Sequence, residues 1–254
     1  MRDSRRFQRI NYLLIVWTTL LLALSSALGQ AQTVILSLNQ DEAVQDVAAE
    51  LLTEIYKRAG LTAKIEPSPP ARNTDKVLKN QIDGEVARVG PYFDKNPRLI
   101  KVEPAYYHLL TSAFAKNGRA IVVNSPKDLH KYRVGIIRGV AHAAVVTEGV
   151  PKLVVVNSVE QLFEMLELNR IDVAVDVHIN GLDVIRRMNL KDVQLIADLA
   201  KRDFYNALIP SKADLAPGIS KVIKEMITSG ELSTMIKKAE KKRLNADPAR
   251  KEEK

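Results

Sequence analysis

Hydrophobic and polar residues alternate in blocks along the first hundred residues. Residues 34–38, VILSL, make an apolar run of strand length that ends at the polar pair Asn39 and Gln40. Beyond it, Val44, Val47, Ala48, Leu51, Leu52, Ile55 and Ala59 fall three and four positions apart, the spacing of one helical face. Asp41 is placed to cap that helix and Gly60 to end it. Residues 62–65 predict a second short strand, Pro67-Ser68-Pro69-Pro70 a rigid turn, and a helix is expected to start at Asn73 or Thr74 and stop near Gln81. A third strand follows within KNQIDGEVARVGPYF, residues 79–93. The order β, α, β, α, β predicts a mainly parallel sheet flanked by helices.

A second series of the same kind begins after Lys116-Asn117-Gly118. Strands are expected over residues 132–137, 153–156 and 171–177, with helices from Val140, over 159–168 and over 182–188. In each series one helix ends in nearly the same phrase: Asn80-Gln81-Ile82-Asp83, then Asn169-Arg170-Ile171-Asp172. Each leads directly into a strand, which predicts two similarly built lobes. HLLTSAFA (108–115) and DFYNALIP (203–210) fit neither series and bracket the second. They are expected to carry the chain out to lobe two and back, leaving helices over 215–228 and 232–241 to pack on lobe one.

Composition narrows the class. A chain of 254 residues with 46% hydrophobic and 27% charged residues has enough core for one large domain or two modest lobes. At the N-terminus, Arg2, Arg5, Arg6 and Arg9 precede an uncharged run over 13–24 and then small residues, the layout of a secretory signal peptide. Residues 1–31 are assigned to it, with cleavage after Gly29 or Ala31, and the mature chain to a bacterial periplasm. The apolar run is shorter than the roughly 20 residues that span a bilayer, which favours cleavage over anchoring. Losing four arginines and one aspartate lowers the formal charge from +8 to +5, much of it in the lysine-rich stretch 237–243. Export and 5% aromatic residues argue against nucleic acid as a partner. The absence of cysteine excludes disulfides, thiol nucleophiles and zinc-thiolate sites.

The order of elements resembles the type II periplasmic solute-binding proteins, in particular the family 3 amino-acid-binding group of ABC importers. The stretches that carry the resemblance are IDGEVARV (82–89), NPRLIKVEPAYYHLLTSAFAKNG (96–118), SPKDLHKYRVGIIRGVAH (125–142) and SVEQLFEMLELNRIDVAVD (158–176). It implies an α/β fold of two Rossmann-like lobes joined by two crossover strands. Lobe one would comprise residues 32–115 with 205–244, lobe two residues 116–204, and a charged tail 245–254. It further implies a monomer that binds a small polar solute, works with a membrane permease and needs neither cofactor nor catalysis. Three departures stand out. No aromatic, proline-containing stretch follows the first strand, no Thr-x-x-Arg is recognisable near residues 92–98, and Asp176 lies four rather than five positions after Asp172.

In a two-lobed α/β protein the ligand cleft lies at the carboxyl ends of the strands. Arg88, near the end of the third strand, is placed to hold a carboxylate or phosphate by paired hydrogen bonds, so an anionic, amino-acid-like solute is expected. A structural ion pair is the other reading of that arginine. Glu85, three positions away, falls on the opposite face of a regular strand. Arg72 takes a rim position after the proline-rich turn. Arg138 and Gly139 join strand to helix in lobe two, where free amides attract anions. Asp176 and His178 end a later strand, with helix capping as the alternative for Asp176. Tyr92 and Tyr106 are open to stacking on the ligand or to packing. The chain lacks a phosphate-binding loop, a dinucleotide fingerprint and a nucleophile elbow. A metal site from His142 and His178 is disfavoured by spacing, and Glu85 or Glu103 would serve a cleft-carboxylate lyase or lytic transglycosylase only with a partner acid. A sensor or accessory protein of the same fold is the alternative within binding.

Overall fold

Residues 31–246 are described in the computed structural model of the chain. The expected signal peptide and charged tail lie almost wholly outside them. β1 (Gln32–Asn39), α1 (Ala43–Arg58), β2 (Leu61–Ser68), α2 (Pro70–Leu78), β3 (Gly84–Val89) and α3 (Gly90–Lys95) lead into a long strand, β4 (Ile100–Lys116). Then come β5 (Val134–Ile137), α4 (Ala141–Val146), β6 (Leu153–Val156), α5 (Val159–Glu167), β7 (Val173–Val177) and α6 (His178–Arg187). A second long strand, β8 (Val193–Leu208), returns the chain to α7 (Ala216–Thr228) and α8 (Glu231–Asn245). No described helix is long and apolar enough to cross a membrane.

The strands run in the order β2-β1-β3-β8-β4-β7-β5-β6. β1 pairs in parallel with β2 and β3, and β5 in parallel with β6 and β7. Between these two parallel sets lie β4 and β8, antiparallel to each other. The short crossings expected at 108–115 and 203–210 are instead the second half of a strand 17 residues long and the end of one 16 residues long, the latter stretch running two residues past the strand. Their ladder shifts register between Val102 and Tyr107, where β4 carries extra residues against β8, and such irregularities bend a sheet. On one side of the bend the helices are α1, α7 and α8, packed through Val44, Leu51, Ile223 and Leu232, and α2 and α3, packed through Val77 and Phe93. On the other side α4 covers one face through Ala143 and Val146, and α5 and α6 the other through Leu162, Phe163 and Val184. Each half thus has helices on both faces of its strands, the two-lobed α/β architecture.

The repeated phrase has the same geometry in both lobes. Asn80 and Asn169 sit in the left-handed region, at φ 54° and 55°, just past α2 and α5. Asparagine tolerates this conformation and closes the helix. Ile82 and Ile171 drop into the core. Asp83 then accepts the amide of Ile35 at 2.8 Å while its own amide donates to the Ile35 carbonyl at 2.8 Å. Asp172 does the same to Arg133, at 3.0 Å and 2.8 Å. Each aspartate clips the incoming strand to its parallel neighbour.

Element boundaries differ where special residues override periodicity. Asp41 does not cap α1: it occupies the left-handed region at φ 62°, and Glu42 holds the cap position. α2 starts at Pro70, before Asn73, because a proline in the first turn has its φ already set for helix and no amide to satisfy. Pro67 and Ser68 belong to β2, an edge strand, where a missing amide is tolerated.

Gly84 marks the tightest approach of β3 to β8. A Cβ there would overlap the Ala207 carbonyl and meet Leu36 Cδ2 at 3.1 Å. Because the obstacle is backbone, Gly84→Ala is expected to cost about 1–3 kcal/mol of stability, read from the urea midpoint.

Candidate functional site

The carboxyl ends of β1 and β3 converge on one polar cluster. Arg88, the penultimate residue of β3, ion-pairs with Glu85, donates to Asn39 Oδ1 at 3.2 Å, and lies 4.9 Å from the centre of the Tyr92 ring. Asn39 also donates to Glu42 Oε1 at 3.2 Å and accepts from the fully buried Asn73 at 3.1 Å. Asn73 is fixed in turn by the carbonyls of Leu38 and Ser68, at 2.7 and 3.0 Å. A guanidinium, two carboxylates and a phenol ring are held together at the lobe-one rim by Asn39, half-buried, and the buried Asn73 behind it.

The expected placement of Glu85 on the face opposite Arg88 is corrected here. β3 bulges against β8 between these two residues, three steps on β3 matching two on β8. The extra residue brings both side chains to one side, where Glu85 is 1% exposed. Arg88 is therefore neutralised from within its own strand. The structural pairing, one of the two readings of Arg88, is present, and the guanidinium is not free to hold an anion unaided.

Asp176 comes from lobe two, near the end of β7, opposite Ser112 of β4. It is buried and its Oδ2 has no hydrogen-bond partner. Burial raises its pKa to about 7, and the charges of Glu42 and Glu160 add to the rise. Glu42 is likewise raised to about 7 by burial, against the pull of Asn39 and Arg88. The next residues close the seam between lobes. Val177 and Ile179 join the core formed by α1, α7 and α8, and Asn180 Oδ1 accepts the amide of Val44 at the first turn of α1, at 2.9 Å.

The other expected residues lie apart. Arg72 is exposed on the first turn of α2. Arg138 donates to Asn157 at 3.2 Å, within lobe two. Gly139 is required by its φ of 79° rather than by a close approach, since the space over it is open. Tyr106 packs: its buried hydroxyl donates to the Val86 carbonyl at 2.8 Å. His142 meets Thr111 at 3.0 Å, whereas His178 meets Asp198 at 2.8 Å, and Asp198 accepts from Ser112 at 2.6 Å. Thr111 and Ser112 are adjacent on β4 and so face opposite ways, which separates the two histidines. Among the described residues no group of three or more His, Cys, Asp or Glu could hold a metal ion. Glu103 is on the exposed start of β4, paired with Lys101 at 2.6 Å.

Asn39, Glu42, Asn73 and Asn180 were not anticipated. Asn39 and Glu42 carried one signal: polar residues fill the short link between β1 and α1, where the resembling family has an aromatic stretch.

Two outcomes follow from these geometries. Glu85→Ala strands a largely buried guanidinium and is expected to lower stability by about 3–5 kcal/mol, while adding Arg88→Ala recovers part of the loss; urea unfolding of both chains checks it. For Asp176, a folded pKa near 7 against an unfolded value near 4 means the folded chain holds a proton that the unfolded chain releases between those pH values. Its contribution is thus complete below about pH 4 and is lost as pH rises to 7. Asp176→Asn is expected to raise the melting midpoint at pH 8 and to leave it unchanged near pH 4, in parallel thermal melts.

No family model matches the sequence, and no curated protein matches it. Solved structures do. A histidine kinase sensor domain with similarity to periplasmic binding proteins aligns with a TM-score of 0.64 at 18% identity, over 82% of this chain and 96% of that one. An amino acid ABC transporter substrate-binding protein, AbpA from Streptococcus pneumoniae bound to L-arginine, aligns with a TM-score of 0.64 at 17% identity, over 84% and 97%. The probable amino-acid ABC transporter extracellular-binding protein ytmK from Bacillus subtilis aligns with a TM-score of 0.66 at 15% identity, over 81% and 96%. At such identities the likeness is one of fold, and this chain has the two-lobed α/β fold of the type II periplasmic solute-binding proteins.

Proposed function

We propose that the chain is an extracytoplasmic solute-binding protein whose lobes, residues 32–115 with 205–244 and residues 116–204, close on a small amino-acid-like solute carrying a positive group. The observation that carries this reading is the charge at the seam. Glu42 from lobe one, half-buried, and Asp176 from lobe two, buried, are both carboxylates with raised pKa, and Asp176 keeps an acceptor oxygen without a partner. An ammonium or guanidinium seated between them would offset two desolvated charges at once. The expectation of an anionic solute loses its main support, because Glu85 already neutralises Arg88. In a zwitterionic solute, Arg88 and the ring of Tyr92 would meet the other end. The arginine bound to AbpA is in keeping with a cationic amino acid.

Closing the lobes would create a combined face for a membrane permease. A sensor or accessory role is the second reading. It is favoured by Val177 and Ile179, which join lobe two to the lobe-one core through apolar contact, and by the likeness to a kinase sensor domain. A lyase reading has less support: Glu85 is held by Arg88, and Glu103 is on the exposed start of β4.

Thermal shift with L-arginine, L-lysine and L-glutamate separates the solute classes. Arginine or lysine at about a hundred times its Kd is expected to stabilise the folded chain by about 2.7 kcal/mol, and Asp176→Asn to abolish the shift. A shift with glutamate alone would overturn the cationic reading.

A further inference from the structure

We propose that Arg243, in the last turn of the C-terminal helix, is a latch that holds the two lobes together through the chain's own side chains. α8 belongs to lobe one, packed into its core through Leu232 and Ala239. The guanidinium of Arg243 reaches across to α6, where Nη1 and Nη2 meet the two oxygens of Asp183 at 2.5 and 3.0 Å. Its Nε meets Asp46 of α1 at 3.0 Å. One side chain therefore ties a helix of lobe two to a helix of lobe one. The parallel two-bond geometry is the strongest form of such a pair.

Several features set this contact apart from an ordinary surface ion pair. Asp183 is 4% exposed, and the Arg243 side chain is 11% exposed, so water and salt screen the pair little. Asp183 is also positioned before the latch closes: Arg186 and Arg187 of its own helix meet its two oxygens, each at 3.1 Å. α6 is firmly part of lobe two, because Leu182, Val184, Ile185 and Met188 pack with Phe114 and Phe163. Pulling Arg243 from Asp183 therefore moves lobes, not a loose helix. Arg186 donates to the Ala246 carbonyl just beyond α8, a second tie at the same place.

A closed form stabilised by the chain's own atoms changes what a solute can do. A ligand shifts an equilibrium only by its differential affinity for the two states. With the latch set, the closed form is the resting one, and solute entry waits on the breaking of the Arg243–Asp183 pair. This inference rests on the two-lobed reading above but not on any solute.

The test needs no ligand. The full chain has no cysteine, so Lys57→Cys on α1 and Glu148→Cys in lobe two, both exposed, accept spin labels without competition. Pulsed electron spin resonance of the solute-free protein is expected to give one narrow, short interlobe distance. Arg243→Ala and Asp183→Asn are each expected to shift it to longer distances, and the two together to add nothing further. Arg243→Gln, which keeps length and polarity but loses the charge, is the second variant should the alanine chain misfold. An unchanged distance in a variant with a native circular dichroism spectrum overturns the latch, as does a long, broad distribution in the parent. Failure of both Arg243 variants to fold also overturns it, because the residue would then hold the fold and not the lobes. If no solute ever shifts the melting midpoint, the solute-binding reading fails while the distance result stands on its own.

Discussion

A carboxylate that clips the start of one strand to its parallel neighbour sets the geometry of both halves of this protein. Asp83 does so for β3 beside β1, and Asp172 for β7 beside β5. Each follows a left-handed asparagine that stops the preceding helix and a buried isoleucine that pulls the turn into the core. A slip of one residue would turn every side chain of the strand to the other face. The clips thus help place Arg88 at the lobe-one rim, and Asp176 and Val177 at the seam.

What emerges at the seam is a balance between charge and apolar contact. Burying a carboxylate oxygen without a partner is costly, and the chain tolerates Asp176 in that state while the half-buried Glu42 adds its charge. Near them, Val177 and Ile179 bury apolar surface against α1, and Asn180 fills the bonding capacity of an amide in the first turn of that helix. The lobes are held by contacts of one kind and strained by charges of another. That combination suits a site completed by something positive from outside.

Much of the architecture could be read from the chain. The alternation of short apolar runs and helical faces gives the element order, and the recurrence of Asn-x-Ile-Asp gives the duplication. Arg88, Glu85 and Tyr92 were singled out as candidates and do stand together. Their relation was not legible, because a bulge depends on the register of β3 against a strand more than a hundred residues later. Asn39 and Asn73 escaped notice for a similar reason: an asparagine looks like a loop residue until its partners are known. Arg243 sits among lysines in a stretch that reads as a solvated helical face. Nothing local distinguishes the cation of that stretch that turns inward to meet Asp183.

The two long strands that run between the lobes are hydrogen-bonded to each other, not merely side by side. Independent tethers would allow the halves to swivel, slide and twist. A paired ribbon resists twist and shear and leaves bending at its register shift as the soft mode. It also makes the connection redundant: a protease nick in either strand would sever the polypeptide yet leave the halves zipped together through the other.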